Sequence, residues 1–333
     1  MSSGPDWMSV CHAAISLSAE ERKDLEKRLA STPDDLELRV KLAGADFLSV
    51  DPASLARRAV HLAWLVKHHP DVYLGGFAFV PETEAAREYI ELRQLWLDAL
   101  AARPDDLRVA KAAGSFLSFF DRELAIDVYR RAAAADPENA DWHDSLGNLY
   151  ANLAKWSDDA SHALEHAKQA VASYEAVLRL VASDWQQVMA RVDIARSAAL
   201  AKDWSLAVEQ ARRALVDNET AERTFAYGNV VHWANIVLGR AALARGDVED
   251  AARHLEAAGA TPGSPQLNSF GPDWDLAKAL LAEGQRGAVV RYIESCKRFW
   301  SDRAEQLDEW KAAIERDESP WAEDDAGDAD PPA

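Results

Sequence analysis

Apolar and polar positions recur along this chain with helical spacing, and a longer pattern of small residues runs through that spacing. A small residue is followed, after eleven others, by a small or β-branched residue, then by a bulky residue four further on and a small residue three after that. Ala195, Ala207, Ala211 and Ala214 keep the spacing, with Ala211 in the bulky place. So do Gly239, Ala251, Leu255 and Ala258, and Ala277, Val289, Ile293 and Cys296. Gly44, Ala56, Val60 and Ala63 give a fourth match, and Gly114, Ala125, Tyr129 and Ala132 a fifth with one residue deleted. Two antiparallel helices joined by a short turn approach closely only where one presents Gly or Ala to a larger neighbour, so each match predicts a packed helix pair.

Turn residues fall where this reading needs them. Lys202-Asp203-Trp204, Arg245-Gly246-Asp247 and Glu283-Gly284-Gln285 mark the stop of a first helix, and Gly246 and Gly284 suit a left-handed helix end. Pro70, Pro104 and Pro137 follow second helices, where the chain must start the next pair. Ser18 ahead of Ala19, Glu20 and Glu21 predicts a capped helix, and 301–316 a polar closing helix. Residues 73–81 read as a loop and 82–102 as one unpaired helix.

The pattern resembles the tetratricopeptide family, whose first helix carries Trp, Leu, Gly and Tyr and whose second carries Ala, an aromatic and Ala. Asp141-Trp142 and Leu146-Gly147-Asn148-Leu149-Tyr150 reproduce the first-helix part, after the Asp136-Pro137 junction. The likeness covers roughly 35–300 and has an irregular period: Gly114 to Gly147 is 33 residues, but Gly147 to Ala195 is 48. The second half of the Gly147 unit reads as Ala170, Tyr174 and Val177, leaving about eleven extra residues around 156–166, expected as added helix. A block from Gly263 to Pro272, running into Cys296-Lys297-Arg298-Phe299-Trp300, resembles one near the C-terminus of a group of bacterial repeat proteins without known activity. The resemblance implies an all-α, right-handed solenoid of antiparallel helix pairs with irregular period. The expected organisation is a flexible N-terminal arm over 1–17, the array over 18–316 with its best repeats over 104–300, and a disordered acidic tail over 317–333.

Composition narrows the function classes. With 37 Lys and Arg against 56 Asp and Glu, the net charge of -19 opposes binding to phosphate backbones and anionic lipid headgroups, so neither nucleic acid nor membrane is the expected partner. Cys11 and Cys296 stand too far apart in sequence to suggest a disulfide framework. No Lys or Arg precedes Arg22, and no apolar run approaches a spanning length, so a cytoplasmic protein is expected.

Candidate chemistry is sparse. His162-Ala163-Leu164-Glu165-His166 spells the H-x-x-E-H string of inverted zinc peptidases, and Asp158 lies about one turn earlier, so Asp158, His162 and His166 are the metal candidates for a hydrolase alternative. The bland reading is five common residues on an exposed helix. No phosphate loop, nucleophile elbow or Cys/His pair accompanies the string, and no cofactor is expected. In an array of this kind the residue after each small packing residue faces the concave side, which selects Asn148, Arg196 and Arg240. Two Arg one repeat apart suit a carboxylate or an acidic peptide; the alternative is that they pair with the protein's own acids. Gln266, Asn268 and Ser269 belong to a loop that either lines a pocket for a small-ligand regulator or acts as a rigid connector with Phe270 buried. Trp7 and Trp321, in the expected flexible ends, are candidates to dock on a partner. The favoured function is an interaction scaffold that takes a peptide or helix of a protein partner.

Overall fold

Carboxylate and hydroxyl side chains open the helices by accepting hydrogen bonds from first-turn backbone N–H groups, which the helix leaves without internal partners. Ser18 and Glu21 form a complete capping box, as the sequence predicts, and Asp35, Asp51, Asp106, Asp159, Asp203 and Asp247 cap their helices with one carboxylate each. The computed structural model describes residues 5–49, 51–80, 86–221, 224, 226–321. Among these there are seventeen α-helices and no strand. None of the helices is long and apolar enough to cross a membrane. The chain divides into two compact units, 1–142 and 143–333.

In the first unit α1 (Trp7–Ala13) and α2 (Ala19–Ser31) pack on α3 (Leu36–Ala45), which pairs with α4 (Pro52–His68). The chain then passes through a 3-10 turn over Gly75–Ala78 into α5 (Ala86–Ala102), which lies against α4 and α6 (Leu107–Leu117); α6 in turn pairs with α7 (Arg122–Ala135). Two expectations are corrected here. Residues 7–13 are a helix rather than a flexible arm, because Cys11 is fully buried on α3 at Gly44, where a Cβ would come within 2.2 Å of the Cys11 carbonyl oxygen. The register expected for α4 also fails: Val60 is 61% exposed, and Leu55, Arg58, Ala59 and Leu62 face inward. Arg58, 1% exposed, explains the shift. Its guanidinium donates to the carbonyl of Ala43 in α3 and to those of Phe77 and Phe79 in the loop, tying the loop to the helix pair. Burial lowers its pKa to about 10, which leaves it charged at neutral pH.

The second unit is built from α8 (Ala140–Lys155, from its second turn onward), α9 (Ala160–Leu180), α10 (Asp184–Leu200), α11 (Trp204–Thr220), α12 (Tyr227–Ala244), α13 (Val248–Gly259), the short α14 (Pro265–Phe270), α15 (Asp275–Ala282), α16 (Arg286–Cys296) and α17 (Ala304–Glu315). Pairs form between α10 and α11, α12 and α13, and α15 and α16, while α10 also lies directly on α12. The small-residue pattern holds throughout: Ala195, Ala207, Ala211, Ala214, Ala251, Leu255, Ala258, Ala277, Val289, Ile293 and Cys296 are all fully buried. A Cβ on Gly147 would meet the Tyr174 ring at 2.7 Å, and one on Gly239 would meet the Leu276 methyl at 2.4 Å. The extra residues after Gly147 become an exposed loop and added turns at the start of α9, which runs for 21 residues. Gly246 and Gly284 have φ of +82° and +78°, and Lys202 takes the same left-handed place at +57° without a glycine.

Beyond α17 the expectation of a disordered tail from 317 is corrected for its first five residues. Trp321 is 2% exposed, with its ring 6.0 Å from Trp274 and 5.6 Å from Trp310. Its indole closes an aromatic cluster that also includes Tyr292 and Trp300, so Trp321 is core rather than a docking group. Trp7 is half-buried on α1. The rest of the expected tail, 322–333, lies outside the described residues, as do 1–4 of the arm.

Two substitutions test this packing. Gly239→Leu should destabilise by about 1–3 kcal/mol through overpacking against Leu276, and Trp321→Ala by about 3 kcal/mol through the cavity left beside Trp274. Both are read from urea denaturation. A Trp321→Ala variant as stable as the parent would return the segment after α17 to the status of an unpacked tail.

Candidate functional site

Three helices that begin helix pairs in the second unit turn polar faces toward one cavity of about 320 Å³. α8 contributes Asn148, Ala151, Asn152 and Lys155; α10 contributes Asp193, Arg196, Ser197 and Leu200; α12 contributes Trp233, Ile236, Val237 and Arg240. Tyr174 of α9 closes one side, and Asp273 and Asp275 at the start of α15 close another. Asn148, Arg196 and Arg240, selected from the sequence by their position after Gly147, Ala195 and Gly239, are therefore brought together in one site.

Neighbouring groups hold the walls in place. Tyr174 Oη donates to Asn148 Oδ1 at 3.1 Å, and Asn148 Nδ2 donates to the backbone carbonyl of Asp144 at 3.0 Å and to its Oδ2 at 3.1 Å. The Gly147 contact makes this arrangement reachable, since the Tyr174 ring lies where a side chain at 147 would stand. Arg196 stacks its guanidinium on Trp233 with 3.9 Å between guanidinium carbon and ring centroid, so the cation faces the cavity from an aromatic support. At the far wall the backbone N–H of Asp273 donates to His232 Nε2 at 3.1 Å. The other ring nitrogen of His232 meets the Ala258 carbonyl at 3.3 Å, which fixes a neutral ring with its proton on Nδ1. Burial lowers the His232 pKa to about 4, so the ring stays neutral at physiological pH.

The site's charges are incompletely matched. Arg240 and Lys155 make no ion pair or hydrogen bond among the described residues; Lys155 lies 4.9 Å from the Trp156 ring. Among the described residues Arg196 has one carboxylate within ion-pair distance, Asp193, at 3.6 Å. Ser197 is 1% exposed and lines the cavity. Asp193 carries an opposing strain: burial, with a smaller push from Asp144, raises its pKa to about 6 even though Arg196 pulls it down. Burial likewise raises Asp273, assisted by Asp275 and opposed by Arg240 and Lys155. Lys155, Arg196 and Arg240 share the cavity with the carboxylates Asp193, Asp273 and Asp275, and among the described residues only Asp193 stands within ion-pair distance of one of these cations, which leaves them open to an incoming anion.

The remaining sequence candidates lie elsewhere. His162 and Glu165 are exposed on α9, with the His162 N–H held at 3.0 Å by Asp159, the residue that caps this helix; His166 stacks on Tyr150 at 6.0 Å. Among the described residues no three His, Cys, Asp or Glu groups stand close enough to hold a metal ion, and Asp158 joins no such set with His162 and His166. Gln266 accepts from Asn229 at 3.2 Å, and the Asn268 amide donates to the carbonyls of Ser264 at 2.8 Å and Phe299 at 3.0 Å. Gln266 and Asn268 thus tie α14 to its surroundings, Ser269 is exposed, and none of the three lines the cavity. Phe270, expected inside if the loop is a connector, is 85% exposed, because the short α14 turns Leu267 inward instead. Sequence reasoning missed Lys155, Asp193, Ser197 and Trp233. Lys155 lies two helical turns after Asn148 and Asp193 one turn before Arg196, so helical spacing carried a signal for both. No family model and no curated protein matches the chain.

The Asp193 carboxyl gives a pH test. Its pKa is higher folded than unfolded, so its contribution to stability is fully present below the ordinary carboxylate range and is lost as pH rises through about 6. Asp193→Asn should therefore become more stable than the parent above about pH 7, by on the order of 1–2 kcal/mol, and lose that advantage below about pH 4. Denaturant midpoints of the two proteins across this range check it; a difference independent of pH would contradict it.

Proposed function

We propose that this chain is a tetratricopeptide-like array, a right-handed solenoid of helix pairs, that works as a cytoplasmic binding scaffold. Its groove over α8, α10 and α12 takes an acidic peptide or helix of a protein partner. One observation carries the reading: in a chain of net charge -19, Lys155, Arg196 and Arg240 surround a single cavity without a full set of carboxylate partners. The pairing of these arginines with the protein's own acids is the alternative to a ligand site: among the described residues Arg196 stands 3.6 Å from Asp193, and Asp273 attracts Arg240 without reaching ion-pair distance. Arginine holds both oxygens of a carboxylate at once, and the Ser197 hydroxyl supplies a further donor beside it. Trp233 gives the cation a flat apolar support against which the stem of an acidic side chain can also pack.

The test is direct binding of an end-blocked peptide of about ten glutamates, followed by fluorescence anisotropy. Binding should weaken roughly ten-fold in Arg240→Ala, since a hydrogen bond to a charged group is worth about 1.5–3 kcal/mol, and should fall steeply with added salt. A lysine peptide of the same length should not bind. Equal binding of both peptides, or a glutamate affinity untouched by Arg196→Ala and Arg240→Ala together, would remove the groove from consideration.

A further inference from the structure

Asp193 occupies an unusual place in the groove, being the only carboxylate within ion-pair distance of Arg196 among the described residues. It lies one helical turn before Arg196 on α10, and its side chain is 23% exposed while lining the cavity. It has like charge for company: Asp144 of α8 acts on it through space, and Asn148 Nδ2 donates to Asp144 Oδ2 at 3.1 Å. The other charged or titratable groups facing the site are Lys155 from α8, Tyr174 from α9, Arg240 from α12, and Asp273 and Asp275 from the start of α15. Tyr174 is enclosed and raised well above its ordinary range, so it keeps its proton at any physiological pH. Burial and the neighbouring Asp275 raise Asp273 as well, against the pull of two cations, Arg240 and Lys155, and of the 3.1 Å bond its Oδ1 accepts from the Asp275 N–H.

An anion that settles on Arg196 must compete with Asp193 for the same guanidinium. Once it does, Asp193 has lost its attraction to Arg196 and gained a second negative neighbour besides Asp144. Resting on the reading of the groove as an anion site, we infer that the ligand's carboxylate enters together with one proton, taken from solvent by Asp193 as the ligand displaces it from Arg196. The carboxylate of Asp193 becomes a neutral acid, and its released hydroxyl becomes a donor directed into the same cavity. Asp193 thus acts as the groove's internal counter-anion and makes occupancy depend on pH.

The linkage has a definite sign. Burial raises the Asp193 carboxyl of the free protein to about 6, and a bound anion, as a further negative neighbour, should raise it beyond that. Affinity should therefore rise as pH falls from about 8 toward 6 and level off below, with uptake of up to one proton per peptide. Calorimetric titration of the end-blocked glutamate peptide into the full chain, in two buffers of different ionisation heat, reads both quantities. The parent should gain roughly three-fold or more in affinity between about pH 8 and pH 6. Asp193→Asn should show no proton uptake and a flat profile, binding at about pH 8 at least as tightly as the parent, while Asp273→Asn should keep the pH dependence. Circular dichroism confirms that each variant retains the parental helix content. Binding without proton uptake, or uptake abolished in Asp273→Asn but kept in Asp193→Asn, overturns the inference and leaves the anion groove standing. Absence of peptide binding at every pH overturns both.

Discussion

The close approach of a glycine on one helix to a large side chain on a neighbour is the contact on which the rest of this structure depends. At Gly114 and Gly147 the neighbour is a tyrosine of the next helix, Tyr129 or Tyr174, and at Gly239 it is Leu276. In each case the space a Cβ would fill is already taken, at 2.6, 2.7 and 2.4 Å. Interiors packed to crystal density leave little room to absorb such an overlap, so these contacts fix how near the helices stand. The residue after each such position then has one direction left to face. Asn148 follows Gly147 and Arg240 follows Gly239, and both line the same cavity.

From this constraint the chemistry of the groove follows. Tyr174 reaches Gly147 with its ring and Asn148 with its hydroxyl, so one side chain both packs the helix pair and orders the polar wall. Arg196 is held by Trp233 across the α10–α12 contact, and Asp193 can reach it only loosely. A cation supported by an aromatic face and half-matched by a carboxylate costs little to redirect toward a ligand, whereas a tightly paired Arg would have to surrender its partner first. The contrast lies within the same protein. Arg58 in the first unit spends its guanidinium on three backbone carbonyls and is fully enclosed, which makes it part of the frame rather than of a site.

What could be read in the sequence was what depends on short-range pattern. The buried alanines of α10 through α13, the left-handed Gly246 and Gly284, the Ser18 capping box and the Gly147–Tyr174 pairing were all legible, because each rests on a fixed number of residues along a helix. The misses came from contacts between segments distant in the chain. Val60 looked inward-facing until the Arg58 clamp on Phe77 and Phe79 set the register of α4. Trp321 and Cys11 looked like parts of loose ends because nothing nearby in sequence reveals the surfaces that bury them. That Asn148, Arg196 and Arg240 line one cavity was legible from their register, whereas the charge balance at Asp193 was not, since it depends on how α8 and α10 face each other.

A double-mutant cycle on Gly147 and Tyr174, with unfolding free energies from urea denaturation, tests the governing contact most directly. Gly147→Ala alone should destabilise by about 1–3 kcal/mol, because its methyl meets the ring. In the Tyr174→Ala background the same methyl has room, so the change should cost almost nothing, and the coupling should exceed about 1 kcal/mol. Additive effects within about 0.5 kcal/mol would show that ring and glycine do not constrain each other, and the account of how Asn148 is placed in the groove would fall with that contact.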